Sequence, residues 1–207
     1  MRPWLVAVLA RAPVPGQAKT RLIPRLGAER AAALQAHLIE LALQRACESG
    51  AQVALWISGP VDAHTSELAR SVGAELHCQP EGDLGTRMLA AMVHAHSTER
   101  RSIIIGTDCP AQRPDDLLQA RDRLESCDVV LQPALDGGYV LIGMNRPHRE
   151  LFLDMPWGSD AVLGNTRRRC ADHHLTLSEL RALPDLDRPD DLDLAIATGL
   201  LEGTLWS

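Results

Sequence analysis

The sequence predicts an α/β protein, a three-layer α/β/α sandwich around a mixed and mostly parallel sheet. Short apolar runs alternate with amphipathic helical segments along the whole chain, which is typical of βαβ units. Several runs are β-branched and lack polar alternation, as in strands covered on both faces. Because no Gly/Ser-rich linker or internal repeat divides the 207 residues, we expect one domain over residues 1–207.

The elements follow from periodicity and from their end signals. Gly50 and Gly73 end two amphipathic segments, and proline at positions 114 and 189 suits the first turn of a helix. The turn at 136–138 joins two apolar runs, so these two strands are antiparallel or lie beside an insertion. We expect strands near 4–10, 53–57, 75–78, 102–106, 129–132, 139–144 and, more weakly, 175–177. Helices are expected near 28–49, 62–72, from after Met88 to about 96, 114–125, 161–172 and 189–198.

Composition excludes several classes of partner. The formal charge of −6 and an aromatic content of 3% argue against nucleic acid or an anionic membrane and favour a small ligand. The five cysteines form no C-x-x-C and are odd in number, so a disulfide framework or a zinc cluster is not indicated. The apolar run at 5–10 is too short to span a membrane. We therefore expect a soluble cytoplasmic protein, whose oligomeric state does not follow from the sequence.

Asp108 is the first candidate site residue. It follows the apolar run Ile103-Ile104-Ile105, which Gly106 ends. In an open α/β sheet, ligands bind beyond the carboxyl ends of the strands, where this carboxylate would meet a ligand or a metal. The alternative is that Asp108 only caps the segment that follows it.

The loop after the first strand presents three cations, Arg11, Lys19 and Arg21. Gly16 and the pair Lys19-Thr20 look superficially like a P-loop, but glycines that such a loop needs are missing and its prolines remove N–H donors. Phosphate charge would then be met by side chains. The alternative is a solvated basic loop.

Asp187 lies far from Asp108 in sequence, yet both follow apolar segments and could meet at one edge of the sheet. Mg²⁺ or Mn²⁺ is held by one or two carboxylates plus substrate phosphates, so a sparse pair is sufficient. The alternative is that the acids at 185, 187, 190 and 191 cap a helix.

Further loops carry glycines at 82, 85, 137, 138 and 158, which allow close approach of a ligand. Residues 136–138 are equally a plain hairpin turn. The eight histidines show no convincing metal-ligand or triad spacing, and we interpret all of them as structural or exposed.

Six segments, spread over essentially the whole chain, combine these glycines, prolines and charges. They are Pro13-x-Pro15-Gly16-x-x-Lys19-Thr20-Arg21-Leu22, Gly82-Asp83-Leu84-Gly85-x-Arg87-Met88, Gly106-Thr107-Asp108-Cys109-Pro110, Asp136-Gly137-Gly138-Tyr139-x-Leu141-Ile142-Gly143, Trp157-Gly158-Ser159 and Asp185-Leu186-Asp187-x-Pro189-x-Asp191-Leu192. In order and spacing they resemble the bacterial DUF2064 family of the GT-A (nucleotide-diphospho-sugar transferase) superfamily, some of whose members are labelled arsenosugar-biosynthesis or radical-SAM-associated glycosyltransferases. More distantly, the chain is similar to molybdenum cofactor guanylyltransferase and 2-phospholactate guanylyltransferase.

The resemblance implies a GT-A-like fold and a role for each candidate residue. It implies Asp108 and Asp187 as ligands of Mg²⁺ or Mn²⁺, and Asp108, Lys19 and Asp136 as catalytic residues. For the sugar or acceptor it implies Asp136, Gly137, Gly138 and Trp157. For the nucleotide and its phosphates it implies Arg11, Gly16, Lys19, Thr20, Arg21, Gly82, Asp83, Gly85 and Arg87.

The leading functional hypothesis is a metal-dependent glycosyltransferase that uses a nucleoside diphosphate sugar and a small-molecule acceptor. The enzymatic alternative is a nucleotidyltransferase, in which a phosphorylated small molecule attacks the α-phosphate of a nucleoside triphosphate and pyrophosphate leaves. The second alternative is a non-catalytic nucleotide-binding protein. The base, the sugar, the acceptor and the stereochemistry of transfer do not follow from the sequence, because a fold does not fix a reaction.

Overall fold

The computed structural model describes residues 3–206, apart from the side chains of residues 204 and 205. It confirms the predicted α/β class and the alternation of strands and helices. The single-domain prediction also covers residues 1, 2 and 207, which lie outside the described part. The strands are β1 (Trp4–Arg11), β2 (Gln52–Ser58), β3 (Glu75–Cys78), β4 (Arg101–Ile105), β5 (Val129–Pro133), β6 (Tyr139–Met144) and β7 (Leu177–Glu179). The helices are α1 (Ile23–Leu26), α2 (Ala28–Glu48), α3 (Ala63–Ser71), α4 (Leu84–Ser97), α5 (Pro114–Arg123), α6 (Val162–Asp172), α7 (Pro189–Ala197) and α8 (Gly203–Trp206).

The strands form one seven-stranded sheet in the order β3-β2-β1-β4-β6-β5-β7. The strand β6 runs antiparallel to both of its neighbours, β4 and β5, and the other pairs are parallel. The sheet is therefore mixed and mostly parallel, as predicted. After β1 the chain adds β2 and β3 on one side and β4 on the other, so the strand order reverses between β1 and β4. Such a switch point is where open α/β sheets form their ligand crevices.

Helices cover both faces of the sheet and give the three predicted layers. In β4, Ile103 and Ile105 are buried with side chains of α2, α3 and α5, whereas Ile104 is buried with those of α4 and α6. Because successive strand residues point to opposite faces, a strand buried on both faces reads as a continuous apolar run. This explains why the run Ile103-Ile104-Ile105 predicts a central strand.

A third apolar cluster lies beside the sandwich and joins helices from both ends of the chain. Leu34 and Leu38 of α2 pack there with Leu26 of α1, Leu192 of α7 and Trp206 of α8. This packing anchors the segment before α7 against the loop after β1. No helix of the described residues is long and apolar enough to cross a membrane.

Two local predictions need adjustment. The loop after β1 contains a 3-10 turn, Thr20–Leu22, followed by the short helix α1, because Leu22 and Leu26 both find a place in the third cluster. The last strand lies two residues later than expected, at Leu177–Glu179, where it pairs with Val129 to Leu131 of β5.

Candidate active site

A cavity of about 560 Å³ opens at the carboxyl ends of β1 and β4, at the switch point of the sheet. Its walls include Arg11 from the end of β1 and Thr107 and Asp108 from the loop after β4. A cavity of this size suits a ligand as large as a nucleotide. The predicted site residues on its walls are Arg11, Lys19, Thr20, Arg21, Asp108, Asp136, Gly138, Trp157 and Asp187.

Other predicted site residues are not on those walls. Asp83 is instead the N-cap of α4, where its carboxylate accepts hydrogen bonds from the Thr86 backbone N–H (2.8 Å) and hydroxyl (2.7 Å). These bonds lower the pKa of Asp83. From the same segment, Leu84 and Met88 line the cavity. Gly16, Gly82, Asp83, Gly85, Arg87 and Gly137 lie outside the lining.

Lys19 lies at the centre of the polar wall. Its side chain is only 4% exposed, and its Nζ contacts Asp108 Oδ1 at 2.8 Å and donates to the Leu186 carbonyl at 2.5 Å. Its backbone is left-handed, with φ of 46°, which is unfavourable for a residue with a side chain. The loop therefore holds Lys19 in a strained conformation that directs its ammonium group to the acidic side of the cavity.

The backbone of the loop after β1 uses two of its donors within the loop. The N–H groups of Gln17 and Ala18 both donate to the Val14 carbonyl at 3.0 Å. A P-loop directs such groups at the ligand. These two N–H groups are therefore directed at the loop itself and not at a ligand in the cavity.

One backbone hydrogen bond and one from a side chain bring Asp108 and Asp187 to one cavity although 79 positions separate them in the chain. The Leu186 N–H donates to the Asp108 carbonyl at 2.7 Å. The Cys109 thiol donates to the Pro184 carbonyl at 3.3 Å. The segment before α7 is thus fixed against the loop after β4, as the hypothesis of a joint site requires.

The acids of this segment divide into a helix cap, Asp191, and a side chain at the cavity, Asp187. Asp191 caps α7, because its Oδ2 accepts from the N–H groups of Arg188 (2.7 Å) and Asp187 (3.0 Å). The Asp187 carboxylate instead pairs with Arg21 across the cavity. The helix-capping role that the sequence offered as an alternative therefore applies to Asp191, whereas Asp187 remains at the candidate site.

Asp185 is a cavity residue that sequence reasoning treated only as a helix-start acid. Burial is the main cause that raises its pKa to about 6, and the nearby carboxylates of Asp136, Asp187 and Asp191 raise it further. Asp185 thus lies half-buried in the cavity with other carboxylates nearby. The signal in the sequence was the density of aspartates between 185 and 191.

Gln35 and Thr107 were also missed, and they tie β1 to β4 behind the cavity. The Gln35 side chain is buried and donates to the Arg11 carbonyl and to Thr107 Oγ1, both at 3.2 Å. Thr107 Oγ1 in turn donates to Asp108 Oδ1 at 3.0 Å. A glutamine within the apolar stripe of α2 was the sequence signal for this contact.

The opposite wall is apolar and aromatic. Tyr139 and Trp157 meet edge to face, with ring centroids 6.4 Å apart, and Leu84 and Met88 of α4 lie on the same wall. Gly85 permits this arrangement, because a Cβ there would lie 2.6 Å from the Phe152 carbonyl oxygen and 2.9 Å from a ring carbon of Trp157. Its role is close packing under Trp157.

The residues fit a hard divalent cation. Both side-chain contacts of Asp108, from Lys19 and Thr107, use Oδ1, and the carboxylate is 47% exposed toward the cavity. Burial, and to a smaller extent the nearby carboxylates, raise the pKa of Asp185, so added positive charge would be favourable there. Carboxylate oxygens are the ligands that Mg²⁺ and Mn²⁺ prefer.

Comparisons with known proteins agree with the fold and with a transferase. A segment of 123 residues is 31% identical to phosphoenolpyruvate guanylyltransferase of Nocardia farcinica; the match covers 56% of this chain and about half, 54%, of that relative. A Desulfovibrio desulfuricans structure described as a nucleotide-diphospho-sugar transferase superposes with a TM-score of 0.86 and 28% identity, over 98% of this chain and 90% of that one.

A more distant structure, the inositol-1-phosphate CTP transferase of T. maritima, has a TM-score of 0.65 and 12% identity, with 98% of each chain covered. At this identity the likeness shows the fold alone. The three-layer sandwich is therefore of the nucleotide-diphospho-sugar transferase type. Residues 40–159 match the family DUF2064, described as an uncharacterized protein conserved in bacteria, and the chain therefore belongs to this family.

Proposed function

We propose that the cavity catalyses nucleotidyl transfer, in which a nucleoside monophosphate passes from a nucleoside triphosphate to a small phosphorylated molecule. The observation that carries this proposal is the presence of three cationic side chains, Arg11, Lys19 and Arg21, among the residues that line the cavity. Two anionic substrates, a triphosphate and a phosphorylated acceptor, require more positive charge than a sugar nucleotide with a neutral acceptor. The similarity to a guanylyltransferase supports the same choice.

The reaction would proceed by attack of an acceptor phosphate oxygen on the α-phosphorus. The bond from the α-phosphorus to the oxygen bridging to the β-phosphate breaks, and pyrophosphate leaves. A phosphate oxygen is already anionic at neutral pH, so the attack needs no general base. Lys19, held by Asp108 and the Leu186 carbonyl, would place its charge beside the phosphates and stabilise the charge that develops on them.

Asp108 and Asp187 would hold Mg²⁺ or Mn²⁺, and the ion would neutralise phosphate charge and orient the triphosphate. The carboxylate of Asp136 accepts from the Gly138 N–H at 2.9 Å, which fixes it at the cavity wall near Trp157. We assign this side, with Gly137 and Gly138, to the acceptor. We treat residues 1–207 as one catalytic domain and assign Gly82, Asp83, Gly85 and Arg87, which lie outside the cavity lining, a supporting role beside Leu84 and Met88.

Glycosyl transfer from a nucleoside diphosphate sugar is the second candidate. It is favoured by the aromatic wall of Tyr139 and Trp157 beside Asp136, since apolar rings next to a carboxylate suit a sugar. It is favoured also by the similarity to a nucleotide-diphospho-sugar transferase over nearly the whole chain.

Product analysis separates these reactions. Each nucleoside triphosphate, and each sugar nucleotide, is incubated with Mg²⁺ or Mn²⁺ and a panel of phosphorylated and neutral acceptors. We expect pyrophosphate from a triphosphate with a phosphorylated acceptor, and none with Asp108→Asn. Release of a nucleoside diphosphate from a sugar nucleotide would favour glycosyl transfer, and tight binding without any turnover would favour the non-catalytic alternative.

A further inference from the structure

A second cluster of potential metal ligands lies away from the cavity, between the edge strand β3 and helix α4. Glu75 and His77 are two residues apart on β3, so their side chains share one face of the strand, and His94 reaches them from α4. None of the three lines the cavity. β3 is the edge strand next to β2, so β2 separates the cluster from β1, whose carboxyl end opens on the cavity.

The donor atoms converge on one point. The Nε2 atoms of His77 and His94 lie 3.1 Å and 2.7 Å from the same oxygen, Glu75 Oε2. A metal bound at about 2.0–2.2 Å to these three atoms separates them by roughly 3.3 Å in tetrahedral geometry, so the two imidazole–carboxylate distances need to open by only some tenths of an ångström. All three donor atoms lie within 4.8 Å of one another. The three side chains are about 27–39% exposed, so an ion can reach them from solvent.

Packing holds the two imidazole rings in place before any ion binds. The His77 ring stacks on Trp56 of the neighbouring strand at 4.6 Å, with an interplanar angle of 21°. Trp56 also meets the His94 ring edge to face at 5.8 Å. The two imidazole centroids lie 4.5 Å apart. A ligand set that is already ordered loses less conformational entropy on binding.

Arg100 orients the carboxylate from its other side. Its guanidinium donates to Glu75 Oε1 at 2.7 Å and to Gln52 Oε1 at 2.8 Å, which leaves Oε2 to the imidazoles. Burial of Glu75 would raise its pKa, but hydrogen bonds from Arg100, His94 and His77 outweigh burial and lower the pKa to about 2. Glu75 is thus ionised, and Arg100 holds its carboxylate in position. Hydrogen-bonding partners around a metal site hold metal-bound carboxylates in the same way.

We propose that Glu75, His77 and His94 form a transition-metal site, for Zn²⁺ or another ion that prefers imidazole, which ties the edge strand β3 to α4. Two imidazoles and one carboxylate leave one tetrahedral position for water. The chemistry differs from that of the cavity, whose donors are all carboxylate oxygens and suit Mg²⁺ or Mn²⁺. The nearby Arg100 guanidinium, whose NH2 lies 3.4 Å from His94 Nε2, disfavours added positive charge and makes the site weaker than a closed zinc site.

Zinc binding in excess Mg²⁺ tests this site, because Mg²⁺ saturates the oxygen ligands of the cavity. The titration is done by calorimetry in a Cys78→Ser background, since the exposed Cys78 thiol also binds Zn²⁺. We expect one equivalent of Zn²⁺ to bind, and His77→Gln and His94→Gln each to lower the affinity at least about tenfold. The matched controls His64→Gln, at an exposed histidine of α3, and Asp108→Asn should bind as the parent does.

A parent protein that binds no Zn²⁺ with micromolar affinity, or two histidine variants that bind like the parent, would overturn the proposal.

A second measurement needs no variant of the cluster. Cu²⁺ bound to the parent in excess Mg²⁺ should give an electron paramagnetic resonance spectrum with hyperfine splitting from two imidazole nitrogens. A spectrum from oxygen ligands alone contradicts the site.

Discussion

Lys19 and Asp108 form an ion pair at 2.8 Å in which the cation is buried and the carboxylate is half exposed: their side chains are 4% and 47% exposed, respectively. The two partners therefore differ in what remains when the other is removed. Removal of the carboxylate leaves a buried ammonium group without a counter-ion, whereas removal of the ammonium leaves a carboxylate that water still reaches.

This asymmetry predicts which of two substitutions lowers the free energy of unfolding more. We expect Asp108→Asn to lower the free energy of unfolding by about 1–3 kcal/mol, and Lys19→Met to lower it by less. The matched control Asp193→Asn removes a carboxylate from an exposed pair with Arg25 and should change it by under about 0.5 kcal/mol. Urea denaturation at neutral pH measures all three, and a larger loss for Lys19→Met would contradict the burial of this ammonium group.

Asp185 predicts a pH dependence of stability. Its pKa is about 6 in the folded protein and near the ordinary value of 3.8 in the unfolded chain, so the folded state binds more protons between these values. The contribution of Asp185 to stability therefore falls as pH rises from about 4 to about 6. Asp185→Asn should raise the free energy of unfolding by about 1–2 kcal/mol at pH 7.5.

That gain should shrink as pH falls toward about 4, because the folded carboxyl is then protonated and the unfolded one is close to its own pKa. Denaturant titrations of both proteins at several pH values measure the difference. A gain that does not change with pH would show that Asp185 does not titrate with a raised pKa.

Divalent metal and nucleotide should stabilise the protein together. With Mn²⁺, a nucleoside triphosphate at a hundred times its dissociation constant adds about 2.7 kcal/mol to the free energy of unfolding. We expect Asp108→Asn and Asp187→Asn to abolish the metal-dependent part of the thermal shift, while Asp193→Asn keeps it. An unchanged shift in both cavity variants would remove these carboxylates from the metal site.

Replacement of glycine by alanine should have opposite effects on stability at two positions. Gly85→Ala places a Cβ against the Phe152 carbonyl and the Trp157 ring, and should destabilise the protein by about 1–3 kcal/mol and displace Trp157. Gly164→Ala, in helix α6 with nothing within 4 Å of the added Cβ, should stabilise by about 0.5–1 kcal/mol. Thermal unfolding and tryptophan fluorescence measure both, and equal effects would contradict the packing role of Gly85.

The sequence predicts the centre of the sheet well because the central strands are buried on both faces. Ile103-Ile104-Ile105 is such a run, and glycines and prolines mark the ends of the helices around it. The last strand, Leu177–Glu179, is less clear because it is an edge strand with two polar residues. The helical turns between Thr20 and Leu26 depend on long-range packing against α2 and α7, which no local pattern reveals.

The candidate site could also be predicted from the sequence only in part. The position of Asp108 follows from its strand, but its proximity to Asp187 depends on the Leu186–Asp108 backbone contact between distant segments. Glycine signals were ambiguous for a physical reason: Gly85 allows close packing of a side chain, and the same absence of Cβ would allow approach of a ligand. The Glu75, His77 and His94 cluster was missed because one ligand comes from a helix 17 residues after the strand pair.

The most direct test of nucleotidyl transfer is the fate of the α-phosphate. Wild-type protein is incubated with α-³²P-labelled nucleoside triphosphate, Mg²⁺ or Mn²⁺ and a phosphorylated acceptor, and the products are separated. Nucleotidyl transfer predicts that the label moves onto the acceptor while unlabelled pyrophosphate is released in equal amount, and that Asp108→Asn does neither. Two results together would contradict it. In the reaction above, the label stays with the triphosphate for every acceptor. In a parallel reaction, a labelled sugar nucleotide is turned over to a labelled nucleoside diphosphate.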